Sequence, residues 1–390
     1  MPHRIYPLLK SFLRKFDAVD FISFGFAIVF SVVMIRNTYY NGWDFTIYHA
    51  AAKAFWDGQS PYKLTESGVW PFKYPPWTLP FFLPFGLVPL STAKIFWGLL
   101  QVASLASILY WLRQSGISRR VLIFTSLCFW FLFAYHSLSG QLVLTITAIC
   151  LLGGIFRERK TEDRALIVTS IALSSKVFFL YALLYRVREV FVPKVLLKLF
   201  LIILFLSLPA LYQDGNELFS LWLKSMSTTD QILNDTVSRG WRNQSLSAAI
   251  LRGFGITRED IFLDLALFFA LGAGLGLIWQ KACTHLSLTE EQKWSGWLAL
   301  SVVLHPLAWF HSFVLVFPLA CFALESSLDS KKTIPLVMSG VGIASICFFT
   351  IQSLGYLGHL LLKFSIKSIG TLFCLGALAI SAWYKEKGSF

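Results

Sequence analysis

Charge is scarce in this chain. Only 14% of its 390 residues are charged, against about 25% in soluble domains, which leaves too little polar surface for a soluble fold. Acidic groups are the scarcer sign, with 21 Asp and Glu against 34 Lys and Arg. Several signatures are missing too. No Gly-rich loop of the Walker kind occurs, so nucleotide binding has no support. No Gly-x-Ser-x-Gly elbow occurs either, which removes that route to a serine nucleophile. Cys-x-x-Cys is absent; Cys128, Cys150, Cys321, Cys347 and Cys374 sit in apolar runs as small buried hydrophobes. The apolar runs lack the alternation of a membrane barrel. No soluble domain, convincing internal repeat or low-complexity linker breaks the chain.

What is present is apolar sequence, 56% of all residues, in runs near the ~20 residues that cross a bilayer as helix. The reading is an all-α polytopic membrane protein forming a single membrane-embedded unit, 1–390. The excess of positive charge lies in short clusters between the runs, as the positive-inside rule predicts, so no nucleic-acid partner is expected. The N-terminus resembles a signal peptide. Its apolar run is long and no clear small-x-small site follows, so it reads as a first span.

Placing Arg4, Lys10, Arg14 and Lys15 in the cytoplasm orders the rest. Spans fall near 17–36, 92–112, 120–136, 141–156, 195–212, 260–280, 294–306, 311–328, 333–352 and 365–384, about ten crossings. The termini are then cytoplasmic, and the long loops 37–91 and 213–259 lie outside. One segment conflicts: 165–185 is long enough to cross, yet basic residues Arg157, Arg159, Lys160 and Arg164 precede it and Arg186, Arg188, Lys194 and Lys198 follow it. The break at Ser174-Ser175-Lys176 resolves this as two half-helices that dip in and return, a form tolerated where it lines a protein cavity. Lys176 is then the tip of the dip. This topology gathers Asp44, Tyr48, Asp57, Lys73, Gln141, Arg242, His305 and His311 on the outer side, with Lys176 approaching from below.

The polar, aromatic stretch 42–76 stands out. After Asp44, residues Ile47, Tyr48, Ala51, Ala54 and Phe55 share one face of an amphipathic helix that Gly58 ends. Asp44 suits a helix N-cap, and a carboxylate fixed at a helix start also suits catalysis. Asp57, thirteen positions on at about 100° per residue, points elsewhere and reads as a solvated helix end. Pro75-Pro76 stiffens the connection after Tyr74. Tyr48, Tyr62, Trp70, Tyr74 and Trp77 read as an interfacial aromatic belt or as a platform for a sugar or lipid headgroup. His305 and His311 lack metal spacing and a third ligand, so no metal and no cofactor is expected. With Lys73, Lys176 and Arg242 they make better sense facing an anionic phosphate. Each cation also reads as a snorkelling boundary residue, a description that fits Lys176 least.

The ordered set of these residues resembles the GT-C-type glycosyltransferases, specifically glycosyltransferase family 87, the polyprenyl-phosphate-mannose-dependent α-1,2-mannosyltransferase-like proteins. The matching pieces are Gly42-Trp43-Asp44 with Tyr48, Gly58 with Pro61-Tyr62, and Phe72 with Tyr74-Pro75-Pro76. Further matches are Gly140-Gln141, Lys176, Asn243-Gln244-Ser245-Leu246, and Pro306 with Trp309 and His311. Departures are Val177-Phe178 where the family commonly has a proline, Ser312 where a second histidine is usual, and His305 in place of a small polar residue. The resemblance implies a GT-C-like bundle, a polyprenyl-phosphate-sugar donor, and a carboxylate in the first outer loop acting as base, the position matched by Asp44. On that reading a sugar, mannose in the family, moves to a lipid- or glycan-linked hydroxyl on the outer face of the plasma membrane. His311, Lys176, Arg242, Lys73 and His305 would face the phosphate, with Gln141 and Tyr48 positioning substrate. One base carboxylate implies a single inverting displacement. The competing readings are a transporter or flippase of lipid-linked sugars, which also uses broken helices, and a glycan polymerase or ligase.

Overall fold

The computed structural model describes residues 18–63, 72–152, 162–227, 240–256 and 261–387. Outside these residues lie the cluster Arg4, Lys10, Arg14 and Lys15, then Trp70, then Arg157, Arg159 and Lys160, and the stretch 228–239 of the second expected loop. All regular structure among the described residues is helical. Five helices are long and apolar enough to cross a membrane: Leu90–Gln114, Pro193–Met226, Phe262–His285, Phe310–Ser330 and Ile366–Lys387. A sixth is added if Arg119–Cys128 and Trp130–Ser139, bent by 56° at their junction, are one span. This is a polytopic helical membrane protein.

Other expected spans differ in length. Val143–Leu152, Glu290–Leu304 and Thr333–Cys347 have 10 to 15 residues, short of the ~20 of a full crossing. The first, Ala18–Tyr40, has 23 residues and adjoins the undescribed N-terminus. The expected loop beginning at 213 instead continues as helix. After the Gly215–Glu217 turn, Leu218–Ser227 carries an apolar face with Leu218 and Trp222 packed inward, and that face overrides the polar Gln213-Asp214-Gly215-Asn216 run.

Burial orders the helices. Of the most apolar window of Phe310–Ser330, 89% is buried, against 22% for Pro193–Met226 and 17% for Phe262–His285. The first is therefore central and the other two are peripheral and lipid-facing. Ile366–Lys387 packs on Thr333–Cys347 where Gly342 and Gly370 let the backbones meet, since a Cβ at Gly370 would lie 2.7 Å from the Gly342 carbonyl oxygen. Small residues at such crossings are the usual means of close approach in membranes.

Glu162–Ser174 ends at the expected break, where Ser174 and Ser175 hydroxyls turn back onto the carbonyls of Ile171 and Ala172. A 3₁₀ helix, Val177–Arg186, follows. The two limbs lie side by side: Ser170 and Ser174 share a crevice with Leu180 and Leu183, and Val190 packs against the cluster of Ile167, Val195 and Leu199. Ten residues is long for a 3₁₀ helix, and tertiary contacts hold it. Glu290–Leu304 runs antiparallel to it, with Glu290 meeting Tyr185 and Arg186 at one end and His305 meeting Phe178 and Phe179 at the other.

A polar clamp fixes the 306–309 turn. Asn243 donates to the Pro306 carbonyl at 2.6 Å and accepts from the backbone N–H of Ala308 and Ser245, each at 3.0 Å. The Gln244 N–H reaches the Ala308 carbonyl at 2.8 Å, and its amide holds the Leu362 carbonyl. Asn243, Gln244 and Ser245 are fully buried, so leaving their partners unpaired is costly. Asn243→Ala is expected to destabilise the protein by about 1–3 kcal/mol per stranded group, read as a lower melting temperature in detergent. An unchanged melting temperature would remove the clamp from the account.

Candidate active site

Two glycine corners build the site. Gly42 is left-handed (φ 53°), starts the helix Trp43–Trp56 and donates its N–H to the Leu138 carbonyl at 2.9 Å. Gly140, at φ 74°, sits so close to that helix that a Cβ would lie 2.9 Å from the Phe45 Cβ. Both the dihedral and the contact demand glycine there. The Trp97 indole N–H donates to the Gly140 carbonyl at 3.0 Å and pins the corner. The next residue, Gln141, is thereby placed against Asp44, and its Nε2 donates to Oδ2 at 2.6 Å.

Asp44 is the second residue of its helix and Gly42 is the N-cap, so the carboxylate is turned to Gln141. Tyr48, one turn on, shares that face. Its hydroxyl lies 3.0 Å from that of Tyr74, and Tyr74 donates to Gln141 Oε1 at 3.3 Å. With Oε1 accepting from tyrosine, the Gln141 amide must present its N–H₂ to Asp44, so the network fixes the amide's orientation. Tyr74 is itself held: the Tyr62 hydroxyl donates to its carbonyl at 3.0 Å, and Trp77 Nε1 donates to Ser174 Oγ at 2.9 Å. Tyr48, Tyr62 and Tyr74 are buried in the protein core, which makes them a framework and not an interfacial belt.

Lys176 caps the 3₁₀ helix at the turn, with Nζ 5.7 Å from the centre of the Tyr74 ring and within electrostatic reach of Asp44, His305 and His311. Among the described residues, neither its ammonium nor the His311 imidazole has a hydrogen-bond partner, though His311 is buried and its ring lies parallel to that of Trp309. Lys176 is only half-buried, and neither group is committed to another among the described residues. His305 Nδ1 accepts the Leu307 N–H at 2.9 Å, which leaves Nε2 for a donor role. Burial pushes the Asp44 carboxyl above the ordinary carboxylate range, opposed by the Gln141 hydrogen bond and the Lys176 charge.

The structure therefore brings together Asp44, Tyr48, Gln141, Lys176, His305 and His311. Arg242 stands off: it is exposed and stacked on Trp241, and Tyr135 lies within electrostatic reach of both Arg242 and Asp44. Lys73 is tied to the Met226 carbonyl at 3.1 Å, and its own carbonyl accepts from Trp222. Asp57 ends the helix and pairs with exposed Lys53 at 3.1 Å, well apart from Asp44 in environment. Two residues were not foreseen. Tyr74, which the sequence places in an aromatic belt or platform, bridges to Gln141. His136 takes the Leu144 N–H on Nε2 at 3.1 Å and faces Gln101 Oε1 with Nδ1 at 3.4 Å, bracing the corner that carries Gln141. The position of His136, four before Gly140, is the only sequence signal for that role. Among the described residues no group of three or more His, Cys, Asp or Glu is placed to hold a metal.

Gly140→Ala is expected to force the corner off Phe45 and lengthen the Gln141–Asp44 contact, with loss of activity exceeding loss of thermal stability. Activity at the wild-type level in the alanine variant would contradict the close-approach argument.

No match was found among curated proteins or among solved structures. The model of Glycosyltransferase family 87 matches residues 72–318. That stretch holds Tyr74, Gln141, Lys176, Arg242, His305 and His311; it begins after Asp44 and Tyr48, whose place in the site rests on the geometry above. With well over half its length matched, this chain belongs to glycosyltransferase family 87.

Proposed function

We propose that this membrane glycosyltransferase uses Asp44 as general base to move a sugar, mannose by the family resemblance, from a polyprenyl-phosphate donor to a lipid- or glycan-linked hydroxyl. The observation that carries the reading is the Gln141–Asp44 hydrogen bond of 2.6 Å beside the unpaired Lys176 ammonium. Gln141 holds Oδ2 and leaves Oδ1 to the acceptor. As the acceptor oxygen bonds to C1, its proton passes to Asp44, and the bond from C1 to the phosphate oxygen breaks with its electron pair going to the lipid phosphate. Attack opposite the leaving group inverts C1, so a β-linked donor gives an α-linked product.

The growing phosphate charge meets Lys176, His311 and the Nε2 of His305. Fixed cations and donors in a site shielded from water act strongly on such charge. Tyr48 and Tyr74 keep Gln141 in register; Arg242 stands at the margin, where an acceptor or the outer end of the donor would pass, and Lys73 acts as a tie. The basic clusters orient the site to the exterior of the plasma membrane with both termini cytoplasmic. Transport of a lipid-linked sugar would not need an oriented carboxylate, and family membership supports transfer.

Membranes containing the protein are expected to convert labelled polyprenyl-phosphate-mannose into a glycosylated product. Asp44→Asn should lower the rate about 10²–10⁴-fold, the range of general-base catalysis, with melting behaviour retained; transfer at near-normal rate would sink the assignment. A pH profile tests the electrostatics. Activity should fall as pH drops through the Asp44 pKa, which lies above the ordinary carboxylate value. Lys176 favours the charged carboxylate, so Lys176→Met should move that acid limb to higher pH in the residual activity. An unmoved limb would show that the two groups do not interact.

A further inference from the structure

Four rings form a row that leads away from Asp44. The centroids of Tyr135 and Phe310 lie 6.0 Å apart, those of Phe310 and Trp241 5.9 Å, and those of Trp241 and His359 5.8 Å. Tyr135 is the end within electrostatic reach of Asp44, and the Arg242 guanidinium lies over the Trp241 ring, 5.3 Å from its centre. Phe310 is buried, and the Lys367 ammonium stands 5.0 Å from its ring centre, which fixes the middle of the row. Tyr135, Trp241 and His359 are half-buried and Arg242 is exposed, so the rest of the row is reachable.

One side chain holds both ends of the open part. The Gln244 amide donates to the Trp241 carbonyl at 2.6 Å and to the Leu362 carbonyl at 2.8 Å, so it ties the Trp241 turn to the helix Ile351–Lys363 that carries His359. Arg252 Nε donates to the Lys363 carbonyl at 2.8 Å and secures the end of the same helix. The polar atoms of the row, in contrast, are spare. Among the described residues, the Tyr135 hydroxyl, the Trp241 indole N–H, the Arg242 guanidinium and the His359 imidazole have no hydrogen-bond partner. Rings that anchored the chain at the lipid boundary would point outward, as Tyr356 does at 82% exposure; these pack on one another instead. A lipid alcohol needs hydrocarbon contact and one hydrogen bond, which leaves most of these polar groups unused. A saccharide offers an apolar C–H face to the rings and a rim of hydroxyls to the donors and acceptors beside them.

We propose that this row is the acceptor subsite and that the acceptor is a saccharide, its ring face on Trp241 and its hydroxyls met by Arg242 and His359. That the occupant is an acceptor rests on the transferase reading; that it is a saccharide rests on the row. Laid from Trp241 toward Tyr135, the sugar brings a hydroxyl toward Oδ1 of Asp44, the oxygen that Gln141 leaves free. His359 lies outside residues 72–318, so its contribution is one that the family match does not supply. Trp241, Arg242 and His359 are then the residues that set which sugar is accepted.

The test is fluorine NMR of the full chain in phospholipid nanodiscs, labelled with fluorotryptophan and titrated with octyl α-mannoside, octyl β-glucoside and octan-1-ol. Trp241→Phe identifies the Trp241 resonance. At least one octyl glycoside is expected to shift it saturably, while octan-1-ol, which carries the same chain, leaves it in place. Equal shifts by octan-1-ol, or none by either glycoside, would overturn the proposal, the former by showing a site for lipid alcohols. Arg242→Gln and His359→Leu, with melting temperature retained, should each weaken the glycoside's affinity about ten-fold, the ~1.4 kcal/mol of one hydrogen bond; full affinity in both counts against it. In transfer to the glycoside, the same variants should raise its KM and leave the donor's KM in place, a split that a loosened fold does not produce. A shift at Trp241 in a protein that transfers no sugar would end the transferase reading and leave the saccharide site standing. Transfer with no such shift would do the reverse.

Discussion

The contact on which the site depends is the seat of Gly140 against the start of the helix Trp43–Trp56. A carboxylate at the boundary of a membrane protein is useful only if its direction is fixed, because a mobile Asp44 would meet solvent or the nearest cation. Direction is supplied in two steps. The missing Cβ of Gly140 admits the corner to van der Waals contact with Phe45. Gln141 then reaches Asp44, while Tyr74 holds the far end of the same amide. Because each partner has one role that the others leave open, the network has a single self-consistent orientation. The aromatic packing of Phe45 on Trp97, centroids 4.7 Å apart, and of Tyr48 on Phe82 carries that orientation into the core.

Lys176 shows the complementary requirement. A cation in the apolar part of a membrane protein is expensive unless paired or used. Two lysines of this chain meet that demand differently. Lys367 is fully buried, yet its ammonium donates to the Ile346 carbonyl and lies 5.0 Å from the centre of the Phe310 ring, so it is satisfied within the fold. Lys176 has the Tyr74 ring face and the charge of Asp44 but no hydrogen bond among the described residues. It is held in position by its backbone, at a turn that Trp77 ties to the Tyr74 segment. A lysine so placed leaves its donors uncommitted among the described residues.

Much of this was legible in sequence because membrane solvent constrains residue type so strongly. Apolar runs marked helices, and the break at Ser174-Ser175-Lys176 marked a real interruption between a 13-residue α-helix and a 3₁₀ helix. Asp44 was separable from Asp57 by helical phase alone, and the two differ in surroundings as that phase implies. Other features were not legible for physical reasons. The tyrosines of the 42–76 stretch looked interfacial because composition cannot distinguish a ring facing lipid from one facing a core; Tyr62 and Tyr74 both pack on Phe72, and Tyr74 also meets Tyr48, Phe82 and Gln141, contacts that composition does not reveal. Lys73 looked like a free cation because its partner, the Met226 carbonyl, is 153 positions away and carries no side-chain signal. His136 was invisible because a neutral histidine bracing a helix corner leaves no periodic mark.

The same reasoning explains why the polar motifs cluster where helices end. Inside a helix every backbone group is satisfied, so a membrane protein can leave helical geometry only where side chains or other backbone take over. The Asn243-Gln244-Ser245 run does this for the 306–309 turn, the serine pair does it for the turn at Lys176, and Gly42 with Gly140 does it by joining two helix ends directly. Each is an interruption that must be conformationally specific to be tolerated at all. Specific interruptions are also the places where a side chain can be aimed along a direction that no helix face provides. Asp44, Gln141, Lys176 and His311 all lie within two residues of such a break. In this fold the cost of leaving the helix and the ability to orient a functional group are one constraint, and that is why the site forms from loop joints and not from the long spans around them.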